Sequence, residues 1–402
     1  MNQTHFCGYK NKITHMKKLL FFAMLLVQTA QNSFAQKAEP IVSFALCLKS
    51  GAYYTEQISL WKAEIDKDKT NSYAWYNYYR ANRNAVRKDT SDHRSFQEKN
   101  KALQDLVIEM EKAVPNSYDY NIVKWMNEGN NFTYLPYLKK AEELGANRTE
   151  HYADMMGWGD VTRDLTKRDK YSKLMYEKTE TSPGLLYYNY NVLAGLKPNA
   201  ILITCGDNDT YPAWMQQALG FRKDVYVINA YLIHIESYRT KLFKELGIEP
   251  LKPNEIDTTS YEKEQKWYDE KLIKTLASNK KGYPVYLALT CGENFTKPIE
   301  ENLYLTGLAY EYSTTVIDNL ALLKCNFEQV YLLDYIQHSF FTDISEYYSK
   351  LTHCNYIVPM IKLYEHYKLS GENQKAEKLK EQVLNIVKGT DQEAQTISYF
   401  KQ

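Results

Sequence analysis

The sequence predicts an α/β plus α architecture, in which a Rossmann-like parallel sheet is flanked by helical hairpins of the tetratricopeptide kind. Three observations carry this expectation. Apolar residues recur at three-to-four spacing in the first part, as Tyr73, Trp75, Tyr76 and Tyr79 do, the mark of one buried helix face. Between about 197 and 340 the period changes, and short apolar runs at 200–204, 224–229 and 284–289 alternate with helical stretches. The last 60 residues return to helical spacing around a Ser370-Gly371-Glu372 turn.

Residues 1–35 read as an export signal. Lys17 and Lys18 precede an unbroken apolar run from Leu19 to Val27, and Ser33-Phe34-Ala35 offers small residues at the two cleavage-reading positions. Cleavage would leave Gln36 as the first residue, and Met16 is an alternative start. The run is far short of the roughly 20 residues a membrane-crossing helix needs. An exported, periplasmic protein with no membrane span after cleavage is therefore expected.

Residues 36–196 form the expected helical repeat region. Helices are predicted at 95–113, 118–128, 135–144, 150–165 and 169–179, with Asn, Gly, Pro or Asp at the joins. Their lengths suit paired helices near the 34-residue period of tetratricopeptide arrays, although small residues do not recur at fixed offsets. In the α/β part, residues 197–340, strand–helix alternation argues a parallel sheet with crossover helices at 212–219, 236–246 and 261–279. Strands apolar at every position suit burial on both faces. A fourth strand is expected at 308–312 or 329–333, at an edge. Residues 341–402 complete the chain as a helical hairpin of 355–369 and 374–387, with Ala376 as its small contact residue.

Composition narrows the function. Lys plus Arg is 50 against 49 for Asp plus Glu, which removes the basic excess that nucleic-acid binding requires. The 36 tyrosines suit helices that bury rings while the hydroxyl reaches water, and also suit carbohydrate stacking. Cys47, Cys205, Cys291, Cys325 and Cys354 would remain after cleavage, an odd and scattered set that makes no disulfide framework.

The chemistry-bearing feature is the loop Thr204-Cys205-Gly206-Asp207-Asn208-Asp209-Thr210-Tyr211-Pro212. It follows the first strand, at the sheet edge where α/β proteins place ligands. Gly206 allows a tight turn, Thr210 can cap the next helix, and Pro212 suits its first turn. The third strand ends similarly, in Thr290-Cys291-Gly292-Glu293-Asn294. Neighbouring strands would bring Asp207, Asp209 and Glu293 together, a set suited to a divalent metal, sugar hydroxyls or an ammonium group rather than phosphate. The competing reading is that Asp207 and Asp209 only cap the helix and satisfy loop amides. Cys205 and Cys291 read either as buried apolar thiols or, if their Cβ atoms approach within about 4.5 Å, as a disulfide. His234 and Trp214 read as structural. No complete Ser-His-Asp or Cys-His set and no Gly-rich phosphate loop is legible.

The stretch from Asn199 to Thr204, with Gly206-Asp207-Asn208-Asp209-Thr210-Tyr211-Pro212-Ala213-Trp214, resembles a characteristic segment of a bacterial membrane-protein family related to protein O-mannosyltransferases. Pro284 to Ala288, Leu305 to Tyr310 and the closing hairpin resemble later segments of that family's soluble C-terminal region. The resemblance covers about 185–388. It implies a shared extracytoplasmic domain without the membrane part in which sugar transfer would reside, and it brings no catalytic assignment for the GDNDTYP segment. Two functions are therefore carried forward. One is a cell-envelope binding or scaffold protein for a protein or peptide partner. The other is an enzyme or accessory factor in glycan transfer that uses Asp207, Asp209 and Glu293 with a divalent metal.

Overall fold

A computed structural model describes residues 37–88, 92–129, 131–179, 181–252, 254–338 and 342–401. The expected export signal lies outside the described residues. The first helices are α1 (Gly51–Lys67), α2 (Ser72–Lys88), α3 (Phe96–Ala113), α4 (Tyr118–Asn127), α5 (Leu135–Leu144), α6 (Tyr152–Thr162), α7 (Leu165–Lys178) and α8 (Pro183–Ala194). Their starts are written in the sequence. Ser95 and Glu98 form a reciprocal capping box on α3, Ser117 caps α4, and Ser182 caps α8 just before Pro183. The closest packing runs between α1 and α2, α4 and α5, and α6 and α7, a helical repeat-like architecture.

The helix expected over 150–165 is shorter, and its successor begins four residues early. Arg163 takes the left-handed conformation, φ 60°, that ends α6, and Asp164 caps α7. A glycine usually marks such a turn. Here the Arg163 guanidinium is held by Asp160 at 3.0 Å and Glu245 at 2.7 Å, contacts invisible in local sequence. Small size matters one turn earlier. A Cβ on Gly159 would stand 2.6 Å from the Arg168 backbone nitrogen, so α6 and α7 meet backbone to backbone. Gly159→Ala is expected to destabilise the fold by about 1–3 kcal/mol through overpacking, read as a lower urea midpoint with an unchanged m-value.

The sheet has strands β1 (Ile201–Thr204), β2 (Tyr226–Asn229), β3 (Val285–Ala288), β4 (Leu303–Leu305) and β5 (Ala309–Tyr312), in the order β2-β1-β3-β5-β4. β1 pairs in parallel with β2 and β3, whereas β5 runs antiparallel to β3 and to β4. The expected all-parallel sheet is thus corrected to a mixed one. The chain returns from β4 to β5 through Thr306-Gly307-Leu308, too few residues for a parallel crossover. Of the two places expected for a fourth strand, 308–312 is close to β5, which lies inside the sheet with β4 at the edge. Residues 326–330 are a wide helical turn instead. β1 and β3 are buried at every position, as their uninterrupted apolar runs anticipate.

Helices α9 (Asp207–Ala218), α10 (Glu236–Leu246) and α11 (Tyr261–Ala277) alternate with the strands. α9 packs on both α7 and α8, so one hydrophobic core runs from the helical array into the sheet. After β3 come α12 (Glu293–Thr296), α13 (Asn319–Cys325), α14 (Asp334–Gln337), α15 (Glu346–His353), α16 (Ile357–Leu369), α17 (Asn373–Val387) and α18 (Glu393–Tyr399). α16 and α17 form the closing hairpin around Gly371 at φ +79°, with Ala376 fully buried. Many tyrosine hydroxyls end on protein rather than on water: Tyr286 donates to Glu311 at 2.7 Å, and Tyr356 accepts from Asn191 at 2.8 Å. No helix among the described residues is long and apolar enough to cross a membrane.

Candidate functional site

α9 begins at Asp207, not at Pro212 as expected, so the GDNDTYP segment is the first turns of a helix rather than a loop before it. Pro212 inside the helix cannot donate to the carbonyl four residues earlier. That carbonyl, on Asn208, instead accepts from Asn189 Nδ2 of α8 at 2.9 Å. Thr210 is not the cap. Its hydroxyl is fully buried, 2.7 Å from the Thr204 hydroxyl and 3.0 Å from Asn229 Nδ2, and so ties β1, β2 and α9 together.

The three carboxylates singled out in the sequence do not converge. Asp209 is buried, and its Oδ2 accepts from the Cys205 backbone N–H at 2.7 Å and from the Thr290 hydroxyl. Burial pushes its carboxyl up, opposed by those donors. It clamps the ends of β1 and β3. Asp207 faces the other way, toward the helical array. Glu293 is exposed at the start of the short α12, Gly292 beside it is exposed, and Asn294 donates to Asp269 at 3.1 Å. Among the described residues, no group of three His, Cys, Asp or Glu side chains is placed to hold a metal ion. The expected divalent-metal trio is corrected accordingly: carboxylates at successive odd positions of a helix start point to different sides.

Cys205 and Cys291 lie side by side at the ends of β1 and β3 as free thiols, with Cys291 Sγ also 3.7 Å from the Ile203 carbonyl. Burial first, and then the Cys205 thiol, raise the Cys291 thiol well above its usual range. Trp214 is fully buried with Nε1 3.4 Å from the Val227 carbonyl. His234 stacks on Tyr268 at 3.5 Å, and burial lowers its imidazole.

What Asp207 faces is a cavity of about 450 Å³ between the array and the sheet domain. Asp207, Asn208, Tyr211 and Pro212 line one side, while Tyr73, Tyr76, Arg80, Arg83 and Asp154 from α2 and α6 line the other. Asp154 is enclosed by protein except where it faces the cavity. Burial raises its carboxyl to about 6, with the Trp125 side chain, Arg83 and Arg80 pulling it down and Asp207 pushing it up. Asp207 is exposed into the cavity, where the protein around it raises its carboxyl and Arg83 lowers it. A third wall is the segment 40–46, just after the expected cleavage point. Asn77 accepts the Ile41 N–H and Gln57 the Glu39 N–H, each at 2.8 Å, while Trp61 Nε1 donates to the Glu39 carbonyl at 2.9 Å. The Tyr348 hydroxyl donates to the Phe44 carbonyl at 2.6 Å. The array thus holds residues 39–41 by their backbone, and the chain then turns at residues 44–46.

Sequence reasoning reached the α9 side of this cavity but not Arg80, Arg83 or Asp154. The available signal was two arginines three apart on a helix otherwise rich in tyrosine, which places both on one face. Nothing local shows which partner that face meets.

Residues 187–281 match the family model of TMEM260-associated domain 2. The matched segment runs from α8 through β1, α9, β2 and α10 past the end of α11, and it includes Asp207, Asn208 and Tyr211. It leaves out α2 and α6, so the other wall of the cavity lies outside the match. No curated protein matches the chain.

Proposed function

We propose that this is an exported cell-envelope binding protein, periplasmic after signal cleavage, which holds its ligand in the cavity between helical array and sheet domain. The carrying observation is the composite wall: GDNDTYP residues on one side and the charged, tyrosine-rich face of α2 and α6 on the other. A pocket of a few hundred Å³ with convergent polar groups and perturbed carboxyls at a junction of two units is the usual form of a small-ligand or peptide site. A Rossmann-like reading of the sheet domain belongs to this proposal, because its parallel strands β2, β1 and β3 present their carboxyl ends near the α9 turn. The grip on residues 39–41 supports a peptide as one class of ligand, and the tyrosine lining supports a glycan as another.

An accessory role in envelope glycan transfer is the second reading. The match to TMEM260-associated domain 2, together with the resemblance to an O-mannosyltransferase-like family, favours it. It requires no carboxylate trio, since glycan binding in the cavity would suffice.

The test is thermal unfolding of the mature chain with neutral sugars, nucleotide sugars and short peptides. A ligand at a hundredfold excess over its dissociation constant stabilises the native state by about 2.7 kcal/mol. At least one class is expected to raise the midpoint, and Ala153→Trp, which fills the cavity from α6, is expected to remove the rise. A rise that survives Ala153→Trp, or no rise with any class, sinks the reading.

A further inference from the structure

Most arginines enclosed in this fold are matched to carboxylates, and Arg239 instead donates to the Ile233 and His234 carbonyls and the Tyr268 hydroxyl. Arg148 pairs with Asp119 at 2.8 Å and Glu150 at 2.7 Å, and Arg163 pairs with Asp160 and Glu245. Arg168 pairs with Asp169 at 2.9 Å and lies 3.4 Å from Asp160, and Arg222 pairs with Asp224 at 2.9 Å. This is what desolvation demands, because a guanidinium out of water needs a counter-charge and acceptors for its donors.

Arg80 departs from the rule. It is only 8% exposed, its Nε has no partner among the described residues, and Nη1 reaches only the Met126 sulfur at 3.5 Å. Arg83, one turn on, is half-buried and makes no ion pair within 4 Å among the described residues. Burial lowers its guanidinium, and Arg80 and Arg87 lower it further. Both side chains line the cavity. Two neighbouring cations with unspent donors form a pole that favours an oxyanion. Asp154 and Asp207 feel this pair through space without bonding it. They offset its charge and leave its hydrogen-bond donors unmet. Glu150, also in the lining, is already committed to Arg148.

We propose that the cavity binds a small organic oxyanion, its carboxylate or phosphate group held by Arg80 and Arg83 and its body resting on Tyr73, Tyr76 and Tyr211. This rests on the binding reading of the same cavity. Tyr73 and Tyr76 stack at 6.3 Å, and the Arg80 guanidinium stands 5.7 Å from the Tyr76 ring, so the aromatic floor adjoins the cationic pole. Asp154 and Asp207 are placed to accept from hydroxyl or ammonium groups on the rest of the ligand.

The experiment titrates the mature chain with acetate and, separately, inorganic phosphate, against sodium chloride at matched ionic strength, reading the thermal midpoint and calorimetric heats. At least one oxyanion is expected to bind, and the stronger of the two identifies the group. Arg83→Gln and Arg80→Met are each expected to weaken that binding by about tenfold or more. Lys101→Gln, exposed on α3 and absent from the cavity lining, is expected to leave it unchanged. Circular dichroism of the unliganded variants separates loss of binding from loss of fold, and Arg83, being less buried than Arg80, is the safer substitution. Binding of neither anion, or binding indifferent to both cavity arginines, overturns the proposal. If a neutral sugar or peptide still stabilises the chain and Ala153→Trp abolishes that effect, only the oxyanion assignment falls. If every probe fails, the binding reading falls with it.

Discussion

Asp209→Ala is expected to lower the unfolding free energy by about 3 kcal/mol or more, among the largest single losses in the sheet domain. The carboxylate accepts from the Cys205 N–H and the Thr290 hydroxyl, and it sits at 4% exposure where water cannot replace it. Removing it leaves the part-buried Cys205 N–H and Thr290 hydroxyl without their acceptor, at about 1–3 kcal/mol each, and frees the ends of β1 and β3 from one another. Urea unfolding followed by tyrosine and tryptophan fluorescence reads the loss. The outcome separates the two roles that the sequence left open for this residue. A clamp costs stability whether or not a ligand is present. A ligand contact costs affinity and leaves the unliganded unfolding free energy within about 0.5 kcal/mol of wild type, the range of substitutions away from such features.

Asp154→Asn is expected to do the opposite, and to do it only at neutral and alkaline pH. Its carboxyl is raised from the ordinary 3.8 to about 6, so between those values the native state holds a proton that the unfolded chain releases. Stability therefore falls as pH rises through that window, and above about 6 the full cost of the buried charge is present. The shift of about 2 units corresponds to about 3 kcal/mol. The amide cannot ionise and escapes that cost. Asp154→Asn should thus be more stable than wild type by up to about 3 kcal/mol at pH 8 and nearly equal to it at pH 4. Urea midpoints at the two pH values decide it. A gain that is the same at both would mean that ionisation of Asp154 is not its origin.

These two residues also show how far the sequence could be read. Asp209 stood out in it because Asp-x-Asp after an apolar run is a recognisable pattern, but its role turns on Thr290, which is 81 positions away. Asp154 carried no signal, since an aspartate on a helix is ordinarily solvated. The neighbours that surround it come from α2, α4 and α9. The helix starts at Ser95, Ser117 and Ser182 were legible because capping is decided within four residues. The end of α6 at Arg163 was not, because a left-handed arginine is held there by Asp160 and Glu245 rather than by glycine.

The sequence by itself determined the helical spacing on either side of the sheet, the three strands β1, β2 and β3, the burial of both faces of β1 and β3, and the hairpin around Gly371. Each depends on periodicity or on turn chemistry within a few residues, where local sterics and burial dominate. The tertiary structure alone decided that β5 runs antiparallel and admits β4 at the edge. It also decided that Asp209 and Glu293 turn away from Asp207, and that Arg80, Arg83 and Asp154 meet the GDNDTYP helix across a cavity. Those outcomes depend on which faces pack together, and the charges that matter are brought close by contacts between residues far apart in the chain.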